Sequence, residues 1–299
     1  MKEELIIKNL LKNYTIETTP KVYLNKGSLK EYINKNNWVY ITYLPDEDPK
    51  KIIETAKKIK DEGLDPVPHL PVRTLENFAE LENYIGKLAD NAGVDKILVI
   101  GGSGKQKGSL QSSIEVLKSG LIDKYKFKKI GLAGNPEGSP DISEEDLDKA
   151  IKEKNEHLNN TEAMLYLVTQ FFFEASSFIK WEQHINGLGN NLEIHAGLPG
   201  PANLKTLIGF AKSCGVKNSL KFLTKQALNI SKLASTNAPD KLIHDLAIYK
   251  NSDMNSKLVK FHFYPFGGLK RTSSWANALI NNDIYIDPQG GIKIDDFQF

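Results

Sequence analysis

Met164-Leu-Tyr-Leu-Val-Thr-Gln-Phe-Phe-Phe-Glu174 opens with an apolar run rich in β-formers, which predicts a strand buried on both faces. Thr169 and Gln170 then place two hydrogen-bonding side chains where that strand should end. Three aromatics and an acid follow before the next helical pattern. Polar side chains at the C-terminal ends of buried strands are where open α/β sheets and β/α barrels keep their chemistry. Taken alone, the stretch fits equally a strand that simply ends in polar residues. The same event recurs along the chain, and that recurrence favours the functional reading.

Outward from this strand the chain alternates short apolar runs with longer amphipathic ones. Tyr14–Glu17, Trp38–Tyr43, Asp65–His69, Lys96–Ile100 and Lys129–Ala133 predict five strands before it, and Leu192–Gly197 and Leu258–Tyr264 two after it. A polar segment around Gly27–Lys35 follows the first. Helical patterns cover Pro49–Glu62, ended by Gly63, then Leu75–Asn91, Ser109–Lys118, Ser143–Leu158, Ala175–Ile185, Ala202–Cys214 and Thr272–Ile280. Ser143-Glu-Glu-Asp146 carries a capping signal with acids in the first turn. A helical insert spans about 215–250. Eight strands alternating with helices and no break in composition predict an α/β fold of one domain over 1–299, a single (β/α)8 TIM barrel. A doubly wound sheet would need fewer strands or a visible second domain.

The 299 residues are 25% charged and 40% hydrophobic, ordinary values for a globular protein. A net charge of +2 makes no electrostatic case for nucleic acid or an anionic membrane. The single cysteine, Cys214, excludes an internal disulfide and a cysteine metal cluster, and its helical setting predicts a small buried residue. No apolar run reaches membrane-spanning length and the N-terminus lacks a signal-peptide core, so the expected location is cytoplasmic.

Residues at the strand ends form the candidate site: Glu17, Thr42, His69, the loop Gly101-Gly-Ser-Gly-Lys-Gln-Lys-Gly108, Asn135-Pro-Glu137, Gln170, His195, Gly197, His262 and Tyr264. Glu17, at a strand tip among apolar neighbours, is the first acid candidate; desolvation there would raise its pKa toward neutral and suit it to general acid work. A solvated strand-end acid is the competing reading. Prolines flank His69 in Pro66-Val-Pro-His-Leu-Pro71 and restrict its backbone. The histidines lack metal-ligand spacing, so no metal is expected. The Gly101–Gly108 loop has the glycines and lysines of a phosphate cradle, but neither Walker A nor G-x-G-x-x-G spacing, and a plain flexible loop remains open.

Val168-Thr-Gln-Phe-Phe-Phe-Glu174 resembles the I-T-Q-F-F-F-D segment of the 5,10-methylenetetrahydrofolate reductases. Thr15-Ile-Glu17-Thr-Thr-Pro20 stands where that family has F-E-F-x-P-P, and Ile41-Thr-Tyr43 where it has V-T-Y. Pro68-His-Leu70, Asn135-Pro-Glu137, Ala196-Gly-Leu-Pro199 and Phe261-His-Phe-Tyr264 fall in the same order on A-P-H-L, Y-P-E, P-G-I-L-P and F-H-F-Y. The resemblance implies a β/α barrel that interconverts 5,10-methylene- and 5-methyltetrahydrofolate by hydride transfer with NADH or NADPH, usually through FAD. It also implies that Glu17 is the general acid, Gln170 a folate contact, and Thr42 and His69 flavin-side residues. Self-association is common in the family.

Departures cluster at the flavin side. The family's L-R-G-D becomes Ile100-Gly-Gly-Ser103, losing an arginine and an aspartate. Y-P-E-x-H-P becomes Asn135-Pro-Glu-Gly-Ser-Pro140, and Leu204 replaces a phenylalanine that helps stack the substrates. The closing arginine is displaced to Arg271, beyond Gly267, Gly268 and Lys270. Gly101, Gly102, Ser103, Asn135 and Glu137 are therefore expected at an altered cofactor site, with Lys105 or Lys107 contacting a diphosphate. Ser103, Leu204, Tyr264 and Arg271 are expected beside the folate. Competing expectations are weakened or absent flavin, a folate-binding barrel without catalysis, and a folate-dependent methyltransferase barrel.

Overall fold

A computed structural model describes residues 3–102, 106–226, 236–295 and 297–298. Eight parallel strands close into a barrel: β1 (Thr15–Thr18), β2 (Trp38–Ile41), β3 (Asp65–Pro71), β4 (Lys96–Ile100), β5 (Lys129–Gly134), β6 (Met164–Thr169), β7 (Glu193–Pro199) and β8 (Leu258–Tyr264). They lie in sequence order around the ring, with β1 closing on β8 through Thr15 opposite His262 and Ile16 opposite Phe263. The fold is the (β/α)8 barrel expected from the strand rhythm. Helices α1 (Glu3–Leu11), α2 (Pro20–Lys26), α3 (Pro49–Asp61), α4 (Phe78–Ala92), α5 (Ser113–Lys118), α6 (Leu121–Lys124), α7 (Glu144–Glu156), α8 (Ala175–Gly187), α9 (Leu204–Ser213), α10 (Lys217–Gln226), α11 (Asp240–Ser252) and α12 (Leu269–Asn281) accompany them. None of the described helices is long and apolar enough to cross a membrane.

Local chemistry sets the helix boundaries. Asp48 accepts the Lys50 amide at 2.9 Å in front of Pro49, and Gly63 ends the region of α3 with φ of 78°. Asn77 caps α4 through the Glu80 amide at 3.0 Å, and Gly93 closes it in the left-handed region. Ser143 accepts the Asp146 amide at 3.2 Å, as its capping pattern predicts. The pattern from Ser109 starts late: Ser112 and Glu115 form a capping box, so α5 begins only at Ser113.

The chain divides into two compact units. One comprises Glu17–Gly134 and Lys149–Val168. Its core pairs Tyr40 and Tyr166 hydroxyl to hydroxyl at 2.8 Å, with Trp38 edge-on to Tyr166. The other comprises Met1–Ile16, Asn135–Asp148 and Thr169–Phe299. There Phe172 stacks on Phe178, and Phe263 meets Tyr14 and Trp275 edge-on. A buried carboxylate is built into this second core: Glu182 accepts the Lys257 amide at 2.5 Å and the Ser256 hydroxyl at 3.0 Å. Burial pushes its pKa up.

Several details differ from the sequence reading. Helix α1, with Ile6, Ile7, Leu10 and Leu11 buried, precedes the first strand. Thr19 and Pro20 start a short α2 that the sequence reading lacks, ahead of the polar segment expected around Gly27–Lys35. The insert contains α10 and α11, and Ala202–Asn203 pairs antiparallel with Thr236–Asn237. A hairpin of Ile284–Ile286 and Ile292–Ile294 follows α12. Cys214 is exposed rather than buried: it stands just past α9, where the helix has turned its apolar stripe inward through Leu204, Leu207 and Ala211.

Candidate active site

Within the unit that begins at Glu17, the expected acid is the third residue of β1 and only 8% exposed. Its Oε2 accepts the Thr42 hydroxyl at 3.0 Å. Thr42 is carried there because its amide continues the strand ladder, donating to Thr18 O at 2.8 Å. His69 Nε2 lies 3.2 Å from Glu17 Oε1, within ion-pair reach but off the line of a well-aligned hydrogen bond. His69 sits inside β3 rather than after it, with the Tyr84 hydroxyl donating to its backbone carbonyl at 3.1 Å. A hydroxyl and an imidazole therefore hold one enclosed carboxyl. Both contacts strengthen when that carboxyl is ionised, which is what a proton donor needs as it gives up its proton.

The glycine-rich loop lies against the connection after β3. Arg73 N donates to Gly101 O at 2.9 Å, Lys107 N to Arg73 O at 2.9 Å, and Ser109 N to Glu76 O at 3.2 Å. Gly102 has φ of 86°, and a Cβ there would come 2.9 Å from Pro71 Cβ. A Cβ on Gly108 would lie 1.7 Å from Glu76 O, so these glycines serve close loop packing. The Lys107 and Ser109 amides are committed to this packing. Ser103 and Lys105 lie outside the described residues.

The other expected residues belong to the second unit. Thr169 Oγ1 accepts the Gly197 amide at 2.7 Å, and Gln170 Oε1 accepts the Phe171 amide at 3.1 Å. Tyr264 donates its hydroxyl to Thr169 O at 2.9 Å. A Cβ on Gly197 would lie 2.3 Å from Thr169 O and 2.9 Å from Tyr264 Cε2. Gly197→Ala should consequently cost about 1–3 kcal/mol through forced backbone displacement, read as a lowered denaturation midpoint. An unchanged midpoint would show that β6 and β7 separate freely here.

Leu204 is buried at the start of α9 in a cluster with Phe171 and Leu207. Arg271 reaches Thr236 Oγ1 with Nη1 at 3.2 Å. The Asn135 carbonyl accepts the Gly138 amide at 3.0 Å. Glu137 accepts the Ser219 hydroxyl at 2.6 Å and the Ser219 amide at 3.0 Å, capping the first turn of α10. His195 and His262 lie within β7 and β8 and are buried; His262 Nδ1 meets Thr15 Oγ1 at 2.8 Å.

Two aromatics escape the sequence reading. Phe266 stacks on Phe210 with centroids 4.3 Å apart and stands edge-on to Phe171 at 5.0 Å. Phe266 has φ of 47° and Gly267 of 83°, and Gly268 N donates to Pro265 O at 2.8 Å across them. Positive φ at both central positions is the pattern of a type I′ turn, which favours Asn-Gly and strains a bulky residue by about 1–2 kcal/mol. Pro-Phe-Gly-Gly is the sequence signal for it.

A parallel β/α barrel with an enclosed carboxyl at a strand end has the build of a barrel enzyme site. The family model described as methylenetetrahydrofolate reductase matches residues 13–266, and the chain belongs to that family. Methylenetetrahydrofolate reductase 1 of Schizosaccharomyces pombe is 30% identical over 141 residues, covering 45% of this chain. Those residues span only 21% of the yeast protein. Among solved structures, a Streptomyces coelicolor protein described as a chitinase A shares 8% identity at a TM-score of 0.45, covering 90% of this chain and 99% of its own. A type I 3-dehydroquinate dehydratase from Clostridium difficile shares 10% at 0.38, covering 72% and 92%. Likenesses this slight bear on neither mechanism nor substrate.

Proposed function

We propose that the chain is an oxidoreductase of one-carbon metabolism that interconverts 5,10-methylene- and 5-methyltetrahydrofolate, with NADH or NADPH as hydride partner. Family membership supports the substrate class. The observation that carries the chemistry is the enclosed Glu17 carboxyl held by Thr42 and His69. Glu17 gives its proton to the bridging nitrogen that leaves the methylene carbon, so the ring opens to an iminium. A hydride from the reduced nicotinamide adds to that carbon and produces the methyl group. Thr42 and His69 hold the carboxylate left behind. A barrel that only bound folate would not need this carboxyl to give up a proton.

FAD is the hydride carrier implied by the family, and the described residues fit it poorly. Thr42 and His69 turn to Glu17, Glu137 is spent on α10, and the Lys107 and Ser109 amides bond to the neighbouring connection. These observations favour direct transfer between the two substrates. An absorbance spectrum of the purified protein tests this. The expected result is no visible flavin bands, with NADH or NADPH oxidised only when methylenetetrahydrofolate is supplied. Flavin bands bleached by the nicotinamide and restored by the folate would overturn direct transfer. A colourless protein that oxidises neither nucleotide would overturn the enzymatic reading.

A further inference from the structure

We propose that Phe266 is a ring-stacking residue that sets affinity for the folate, an inference that rests on the substrate reading above. An ordinary two-residue turn of this shape would carry Asn at its first central position, where a short polar side chain accepts positive φ. Here the chain places a phenyl ring there instead, with φ of 47°, directly before Gly267. Outliers of this kind cluster at ligand clamps, where the surroundings maintain the strain.

The surroundings are suited to a flat ligand. Phe266 and Phe210 form a stacked pair, and Phe210 remains 39% exposed. Tyr264 lies nearly parallel to Phe266, with an interplanar angle of 22° and centroids 6.3 Å apart. The Tyr264 hydroxyl is fixed on Thr169 O, one residue before Gln170. The turn therefore presents partly open aromatic surface, tied through Tyr264 to the end of β6. Folate supplies two flat groups that could use this surface, the pterin and the aminobenzoyl ring. Stacking a ring on an aromatic side chain is typically worth about tenfold or more in affinity.

The test is equilibrium binding of 5-methyltetrahydrofolate to the full chain, by titration calorimetry, together with the thermal midpoint. Phe266→Asn should weaken binding about tenfold while leaving the midpoint unchanged or raised, because Asn-Gly suits the turn. Phe266→Tyr should bind within about twofold of the parent, since the ring is kept. Repeating the titrations with 6-methyltetrahydropterin and with p-aminobenzoylglutamate assigns the ring, since the loss should follow whichever fragment stacks. Phe266→Asn binding folate and both fragments with parental affinity would overturn the inference, and a lowered midpoint with unchanged affinity would make Phe266 a packing residue only. A parental chain that bound no folate would overturn the substrate reading itself, and this inference with it.

Discussion

Glu17→Gln is expected to lower turnover about 10²- to 10⁴-fold while leaving the affinity for 5-methyltetrahydrofolate within about twofold of the parent. The amide keeps the size of the carboxyl and can still accept from Thr42, whose hydroxyl lies 3.0 Å from Oε2. What it lacks is a transferable proton. The effect should therefore fall on the chemical step rather than on binding, a pattern that separates a proton donor from a substrate anchor. Steady-state kinetics paired with equilibrium titration reads both quantities. Turnover retained at the parental level would remove Glu17 from the chemistry and leave it as a strand-end acid that happens to be enclosed.

Lys154→Met should make the protein more stable at pH 7, by about 2 kcal/mol. Lys154 lies on the buried stripe of α7 beside Ile151 and donates to Ala133 O at 2.7 Å, with no acidic partner among the described contacts. Burial pushes its pKa down from 10.5 to about 8. Below pH 8 both the folded and the unfolded chain hold the proton, and the folded chain does so against the cost of burial. Between about 8 and 10.5 only the unfolded chain binds it, so the parent gains stability as pH rises through that window. At about 1.4 kcal/mol per pH unit the full cost is about 3 kcal/mol, from which about 1 kcal/mol is deducted for the lost bond to Ala133 O.

Denaturant unfolding of parent and variant at pH 7 and at pH 10.5 checks this. The advantage of the variant should shrink by about 3 kcal/mol between the two and reverse sign, because the parent keeps its bond to Ala133 O. Comparing the two chains cancels the many other lysines and tyrosines that titrate near the upper limit. A variant less stable at pH 7 would mean that the buried ammonium is better solvated than its enclosure implies.

Much of the barrel was readable because fully buried strands leave unbroken apolar runs, and Lys96–Ile100 and Leu258–Tyr264 have the expected bounds. Strand ends were harder. β3 runs on to Pro71, so His69 lies within a strand it was expected to end, and β7 runs on past the expected Gly197 to Pro199. A proline or histidine in an all-buried strand carries no alternation by which to judge its end. Helix α1 was missed although Ile6, Ile7, Leu10 and Leu11 have helical spacing, because nothing before them sets a rhythm. Cys214 was misplaced by its composition: a cysteine is usually buried, but this one follows the last turn of α9.

The candidate site was legible only in part, and for a physical reason. Residue types singled out Glu17 and Gln170 as candidates, whereas the pairings that define such surroundings join residues far apart in sequence. Nothing local to Glu137 says that its carboxylate will cap a helix beginning at Lys217, and nothing local to Lys154 says that its partner is a strand carbonyl. Phe266 carried a local signal in the two glycines that follow it. The signal was read as a displaced arginine, and the ring beside it was overlooked.

The interlocking of the connections after β3 and β4 has a consequence for anyone who would rebuild this protein. Arg73 and Glu76 supply main-chain atoms to Gly101, Lys107 and Ser109, and Gly108 rests directly on the Glu76 backbone. The two connections are thus one mechanical piece, although helix α4 and strand β4 separate them along the chain. Grafting a relative's loop after β4, for instance to restore its arginine and aspartate, would strip the support from the loop after β3 as well. The transplantable cassette is the pair, and a descendant that changed one loop alone would have had to change the other soon afterwards.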